Sequence, residues 1–156
     1  LLDLEKIIFE LDAGLPQDDD APPPSEKRLR ALVAEDSGIM RHMIRERLEA
    51  ANFETVLVGD GQQALDQLLN PEGVRPDIVI SDIEMPRLDG YTLTRRIRET
   101  PALARLPVIL FSSLITDELR HKGLSVGADE QISKPQFGDL ARLAMELIEK
   151  RRTLAD

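Results

Sequence analysis

The most informative stretch of the sequence runs from residue 76 to residue 90 and reads PDIVISDIEMPRLDG. Its apolar run, Ile78 to Ile80, is typical of a buried strand in a parallel sheet. The run ends abruptly at Asp82, so we expect this carboxylate at the carboxyl end of a strand, where open α/β sheets bind ligands. Asp89-Gly90 then opens a helix. Because a carboxylate at a strand tip is costly unless something binds it, Asp82 predicts a site for a metal ion, a phosphoryl group or both.

Strand and helix signals alternate on both sides of this stretch. We predict strands at 29–34, 53–58, 77–81, 108–111 and 129–133. Each strand is followed by apolar residues at helical spacing: Met40, Met43, Ile44 and Leu48; Ala64, Leu65, Leu68 and Leu69; Leu93 and Ile97; Leu119 and Leu124; Leu140, Leu143, Ala144, Leu147 and Ile148. Five strands alternating with five helices predict an α/β fold with a parallel sheet covered on both faces. The obvious topology is the flavodoxin-like three-layer sandwich with strand order 2-1-3-4-5.

Two further segments precede this alternation, which occupies residues 27–152. Residues 1–12 carry Leu4, Ile7, Ile8 and Leu11, a spacing that predicts an amphipathic helix of about three turns, marginal on its own. Residues 13–26 contain three consecutive aspartates and three consecutive prolines, which predict an extended acidic linker. A disordered joint without a specific role is the alternative. Because the chain begins at Leu1 rather than Met, we expect it to be a fragment of a longer protein.

The composition excludes several classes of function. The net charge is −9, and residues 1–26 hold 8 acids and 1 base, so the acidity belongs mainly to the amino-terminal segment. No basic stripe is present of the kind that binds a nucleic-acid backbone. The absence of cysteine excludes disulfides and thiol chemistry. No apolar run approaches the roughly 18 residues of a membrane span, and no signal peptide is visible.

Acidic side chains follow two strands that the predicted order makes neighbours. Strand order 2-1-3-4-5 places the ends of strands one and three side by side, so Glu35, Asp36 and Asp82 would meet there. Crowded acids repel one another, and an all-oxygen ligand set favours Mg²⁺, Mn²⁺ or Ca²⁺ over zinc. Mg²⁺, which usually takes one or two carboxylates plus a phosphate oxygen, fits such a site. Alternatively, Glu35 and Asp36 merely cap the following helix.

The fourth and fifth predicted strands end in side chains that suit a phosphoryl group. The Lys134 ammonium can neutralise a phosphoryl oxygen, and the Ser112 hydroxyl can donate a hydrogen bond to another. Pro135 keeps the backbone after Lys134 extended and permits a cis peptide bond. Together with a metal ion, these groups predict a phosphoryl-transfer site in which Asp82 is the nucleophile and forms an acyl phosphate.

These motifs resemble the receiver domain of two-component signalling (CheY-like) over about residues 28–152. The residues that carry the resemblance are Glu35-Asp36, Asp82 through Gly90, Ser112 and Lys134-Pro135. It implies that Asp82 is the phosphoacceptor, that Asp36 and Asp82 bind Mg²⁺ directly, and that Glu35 acts through water. It also implies metal ligation by the backbone carbonyl of Glu84, a switch hydroxyl on Ser112 and a phosphate-binding role for Lys134. Such a domain is not an enzyme in the ordinary sense, since it promotes phosphoryl transfer to, and hydrolysis from, its own aspartate.

Gln131 departs from the receiver pattern. Receivers usually carry an aromatic residue three positions before the lysine, and this chain has Gln131 there. We expect phosphorylation to survive this change and the readout to differ, with Gln131 exchanging hydrogen-bond partners instead of burying a ring.

A second resemblance concerns the amino terminus. Residues 1–8, LLDLEKII, resemble the carboxyl end of a CheW-like coupling domain, as found in CheV-type chemotaxis proteins. The resemblance implies a cytoplasmic chemotaxis phosphoprotein that receives its phosphoryl group from a CheA-type histidine kinase and changes receptor–kinase coupling. It implies neither nucleic-acid binding nor membrane insertion.

Other functions stay open on the sequence alone. The chain could be the receiver of a response regulator with a different output, including one that binds DNA. An aspartyl-phosphate hydrolase is a less favoured alternative, because such enzymes usually carry a second aspartate where this chain has Glu84. A protein-interaction module with a vestigial acid site is the third alternative.

Overall fold

A five-stranded parallel sheet forms the centre of the protein. The structure, a computed structural model, describes residues 28–73, 75–134 and 137–155. The strands are β1 (Arg30–Ala34), β2 (Glu54–Val58), β3 (Ile78–Asp82), β4 (Val108–Ser112) and β5 (Glu130–Ser133). Their order is β2-β1-β3-β4-β5, and every neighbouring pair is parallel. The predicted flavodoxin-like topology is therefore confirmed.

Five helices connect the strands, as predicted. They are α1 (Gly38–Glu49), α2 (Gly61–Leu69), α3 (Gly90–Glu99), α4 (Asp117–Val126) and α5 (Leu140–Ala155). The side chains of Ser37, Asp60, Asp89 and Thr116 accept a backbone hydrogen bond at the start of α1 to α4, respectively. These caps satisfy amide groups that have no partner inside a helix, so the short polar residues after each strand fix where the helix begins.

Two apolar layers, one on each face of the sheet, hold the helices in place. One layer joins β-strand residues such as Leu32, Val79 and Leu110 to residues of α2 and α3. The other joins Val33, Ile80, Ile109 and Phe111 to residues of α1 and α5. Alternate strand residues point to opposite faces, which explains why β1, β2, β3 and β4 contribute to both layers. Burial of one such side chain contributes about 1.5–3 kcal/mol.

Helix α4 is packed differently from the other helices. Leu69 on α2 and Leu124 on α4, which stand at helical spacing in the sequence, are 48% and 61% exposed. In α4, all of whose residues are described, only Gly123 is buried. Gly123 lies directly against the side chain of Gln131, because no β-carbon separates them. Helix α4 therefore contacts the sheet through Gly123 and the buried Gln131 amide, and its apolar residues Leu119 and Val126 are only partly buried against the core.

Some sequence predictions fall outside the described residues. These are the amphipathic helix at 1–12, the linker at 13–26 and the conformation of Pro135. A short 3₁₀ turn, Pro101–Leu103, was not predicted; it begins at Pro101, a residue that favours the first position of a helical turn. Within the part of the chain that the structure describes, no helix combines the length and apolar character needed to cross a membrane.

Candidate functional site

Three carboxylates converge at the carboxyl end of the sheet. Glu35 and Asp36 follow β1, and Asp82 is the last residue of the neighbouring strand β3. Each of the three offers an oxygen, and these oxygens all lie within 4.8 Å of one another. Glu35 and Asp82 are almost fully buried, whereas Asp36 is exposed. The predicted meeting of these three acids is therefore what the structure shows.

Local hydrogen bonds orient the two buried carboxylates. The backbone N–H of Ser37 donates to Glu35 Oε2 at 2.8 Å, which turns the Glu35 side chain back over its own loop. The backbone N–H of Glu84 donates to Asp82 Oδ1 at 3.4 Å. The loops after β1 and β3 thus hold the carboxylates in fixed positions and leave their other oxygens available.

Lys134 reaches the same point from the end of β5. Its Nζ lies 3.1 Å from Glu35 Oε1 and 3.1 Å from Asp82 Oδ2. The side chain passes over the Phe111 ring of β4, with Nζ 5.3 Å from the ring centroid. One ammonium group therefore bridges a carboxylate that follows β1 and a carboxylate that ends β3.

The acids carry more negative charge than Lys134 balances. The pKa of Glu35 is raised to about 7: burial is the largest cause and the charge of Asp82 adds to the rise, while the hydrogen bonds from Ser37 and Lys134 act against it. Burial also raises the pKa of Asp82, and Lys134 opposes that rise. Burial lowers the pKa of Lys134, but the two carboxylates outweigh it and the net shift is upward. A divalent cation between the acids would relieve this imbalance.

The remaining predicted residues lie at different distances from this centre. Ser112 ends β4, is buried, and accepts a hydrogen bond from the Leu114 N–H at 3.3 Å through its hydroxyl. Ser112 and Glu84 line one cleft together with Asp36, so both border the acid cluster. Gln131 lies apart from it, against α4.

The Gln131 amide is buried and half satisfied. Its Nε2 donates to the carbonyl oxygen of Arg120 in α4 at 2.9 Å. Its Oε1 is buried with no hydrogen-bond partner among the described residues.

Sequence reasoning missed several residues around the site. Arg41, one turn into α1, donates to the backbone oxygen of Glu35 at 2.8 Å. Arg87, with a φ of 71°, pairs with the buried Asp60 at 3.2 Å and ties the β3–α3 loop to the start of α2. The Arg87 contact joins two different loops, and the Arg41 contact depends on how the chain turns between β1 and α1, so the spacing of these residues in the sequence predicts neither contact.

Tyr91 and Lys122 form a further wall beside the acids. The Tyr91 hydroxyl donates to the carbonyl oxygen of Leu119 in α4 at 3.3 Å. Lys122 Nζ lies 4.7 Å from the centroid of the Tyr91 ring. Burial raises the pKa of Tyr91, and the charges of Glu84 and Asp89 add to the rise. The only sequence feature here that led to a prediction was the Asp89-Gly90 motif before Tyr91. It predicted the start of a helix, not the contact between Tyr91 and Lys122.

A family model described as the response regulator receiver domain matches residues 31–146. The chain belongs to this family. The receiver is 38% identical over 115 residues to a gliding motility regulatory protein of Myxococcus xanthus, a match that covers 74% of this chain and 14% of the relative. It is 33% identical over 108 residues to the sensor histidine kinase CheAY of Helicobacter pylori, covering 69% of this chain and 13% of the relative. The chain therefore spans only about a seventh of either protein.

A solved structure supports the same family. The receiver domain of the sensor histidine kinase PA1611 of Pseudomonas aeruginosa PAO1 is 28% identical to this receiver, with a TM-score of 0.70. The match covers 79% of this chain and 99% of that domain, which was solved with a magnesium ion coordinated in its active-site cleft. The fold and the receiver family predicted from the sequence are both confirmed.

Proposed function

We propose that this receiver accepts a phosphoryl group on Asp82 from a histidine kinase in a Mg²⁺-dependent reaction. The observation that carries the proposal is the position of Lys134, whose ammonium lies 3.1 Å from both Glu35 and Asp82. A carboxylate that combines burial, a neighbouring cation and an adjoining cluster of acids suits phosphoryl transfer, where positioning and charge neutralisation dominate.

The acid cluster fits a magnesium ion. Its three oxygens lie within 4.8 Å of one another, close enough to share one ion, and all are carboxylate oxygens, which Mg²⁺ prefers. Asp36 and Asp82 would bind the ion directly, Glu84 through its backbone carbonyl and Glu35 through water. When bound, the ion supplies positive charge that balances the acids and the incoming phosphoryl oxygens.

The protein's own residues account for the remaining steps. An oxygen of Asp82 attacks the phosphorus, the bond from phosphorus to the donor's leaving atom breaks, and the leaving group departs with the electron pair. The product is an acyl phosphate on Asp82. The Lys134 ammonium would neutralise one phosphoryl oxygen, and the Ser112 hydroxyl would donate to another.

The output is proposed from the amino-terminal sequence. Residues 1–12 would end a CheW-like coupling domain, residues 13–26 would link it to the receiver at 27–152, and phosphorylation would change receptor–kinase coupling in a CheV-type cytoplasmic chemotaxis protein. The LLDLEKII sequence at the amino terminus supports this output. The CheA-type kinase partner fits the likeness to the sensor histidine kinase CheAY. Gln131 would report phosphorylation by exchanging its hydrogen bond to α4.

The proposal is tested by incubating the protein with phosphoramidate, with and without Mg²⁺, and measuring its intact mass. We expect the wild type to gain one phosphoryl group only when Mg²⁺ is present, and Asp82→Asn to gain none. Asp66→Asn, which changes an exposed acid of α2, is the matched control and should behave as the wild type. Incorporation into Asp82→Asn equal to that of the wild type would refute the assignment.

A further inference from the structure

A cleft of about 510 Å³ opens between the β3–α3 loop and α4. Asp36 and Ser112 form part of its wall, so the cleft adjoins the acid cluster. Its volume lies within the range of small-molecule sites, about 300–1,000 Å³. The other lining residues are Ile83, Glu84, Met85, Pro86, Asp89, Tyr91, Leu119 and Lys122. The cleft thus offers space for a small phosphoryl donor beside the acid cluster.

Lys122 is the only cation among the described residues that line the cleft. The other charged lining residues are Asp36, Glu84 and Asp89, which would repel an anionic donor. The Lys122 ammonium lies 4.7 Å from the centroid of the Tyr91 ring, within the range of a cation–π interaction. The Tyr91 ring is itself anchored by its hydrogen bond to Leu119. Contact with an anchored ring places the Lys122 charge on the wall of the cleft.

The in-line geometry of phosphoryl transfer connects the position of the Lys122 ammonium to the leaving group. The attacking and leaving atoms lie roughly in line through the phosphorus, so the leaving group points away from Asp82. Lys134 already lies 3.1 Å from both Glu35 and Asp82, on the attacking side. On the side of the leaving group, Lys122 is the cation that the described lining of the cleft provides.

We propose that Lys122 is a specificity-determining residue that favours acyl phosphates as phosphoryl donors over phosphoramidate. The inference rests on the proposed role of Asp82. When Asp82 attacks an acyl phosphate, the P–O bond breaks and a carboxylate leaves with the electron pair, without uptake of a proton. The ammonium of Lys122 stabilises that carboxylate. In phosphoramidate the nitrogen is already protonated, the P–N bond breaks and neutral ammonia leaves, so Lys122 gives no comparable advantage.

Initial rates with two donors test the proposal. At equal Mg²⁺, Lys122→Gln should react with acetyl phosphate about three- to fivefold more slowly than the wild type, the effect expected of one exposed charge pair. Its rate with phosphoramidate should change less than about twofold, because that leaving group is neutral. Lys122→Arg keeps the charge and should keep the donor ratio. Lys150→Gln, which removes an exposed lysine of α5, is the matched control and should change neither rate.

A binding measurement complements the rates. Tyr91 is the only tyrosine in the chain and there is no tryptophan, so its fluorescence reports on this cleft alone. Acetonylphosphonate, in which a CH₂ replaces the bridging oxygen of acetyl phosphate, serves as an unreactive probe. We expect Lys122→Gln to bind it about threefold more weakly than the wild type, again the scale of one exposed charge pair.

Three results would overturn the proposal. An equal loss of rate with both donors would show that Lys122 acts only through the position of α4. An unchanged rate with acetyl phosphate would show that the leaving carboxylate does not meet Lys122. If the wild type took up phosphorus from neither donor, the role of Asp82 itself would fail, and the donor preference with it.

Discussion

Replacing Glu35 with glutamine is expected to stabilise the metal-free protein at pH 8 and to leave its stability at pH 5 almost unchanged. Burial is the main reason that the pKa of Glu35 rises from 4.5 to about 7. A folded state with the higher pKa binds the proton more tightly than the unfolded state, so stability falls as the pH rises between these two values. The full rise corresponds to about 3 kcal/mol above pH 7. Glutamine has no charge to lose, so it avoids this cost.

Urea unfolding in the presence of EDTA, at pH 5 and at pH 8, measures the effect. We expect Glu35→Gln to be about 2–3 kcal/mol more stable than the wild type at pH 8 and within about 0.5 kcal/mol of it at pH 5. Added Mg²⁺ should raise the stability of the wild type relative to that of the variant, because the cation balances the ionised carboxylate. Glu99→Gln, on the exposed side of α3, controls for the substitution itself. A Glu35→Gln variant that is less stable than the wild type at both pH values would refute the reasoning.

Three further substitutions test other contacts. Lys134→Met should destabilise the metal-free protein by about 3 kcal/mol at pH 8, since two buried carboxylates lose their cation. In the same urea titration the loss of stability at pH 5 should be much smaller. An equal loss at the two pH values would contradict this prediction. Asp129→Asn should cost about 3 kcal/mol, because Arg98 and Arg151 lie 2.9 and 2.6 Å from its carboxylate, while Asp139→Asn at an exposed pair should cost almost nothing. Gly123→Ala should lower the melting temperature despite the better helix propensity of alanine, because the new β-carbon overlaps the Gln131 amide, and Gln131→Ala in the same chain should recover the loss. A higher melting temperature for Gly123→Ala alone would contradict this prediction, because it would show that the Gln131 amide moves aside for the new β-carbon.

The sequence was sufficient for the fold and for the acid cluster. Short apolar runs that end in polar residues marked the five strands, and the switch point of the sheet brought Glu35 and Asp82 together. The predicted strand boundaries differ from the observed ones by at most one residue. The third strand was predicted to begin at Asp77 but begins at Ile78. The carboxylate of Asp77 accepts a hydrogen bond from the Arg30 N–H at 2.9 Å.

The contacts of α4 could not be predicted from the sequence. Leu119 and Leu124 mark α4 by their helical spacing, but this spacing does not show whether another element covers the face on which they lie. Only Gly123 of α4 is buried, because the Gln131 amide from β5 occupies the space beneath the helix. The Arg98–Asp129–Arg151 cluster was missed for a similar reason, since its members come from three separate segments.

The central claim is that Asp82 becomes covalently phosphorylated in a site formed with Glu35, Asp36 and Lys134. Borohydride reduction of an aspartyl phosphate yields homoserine, which tandem mass spectrometry can locate in the chain. After treatment with acetyl phosphate and Mg²⁺, we expect homoserine at position 82 and at no other position, and none when Mg²⁺ is replaced by EDTA. Homoserine at another aspartate, or its complete absence from protein that has gained a phosphoryl group, would contradict the account.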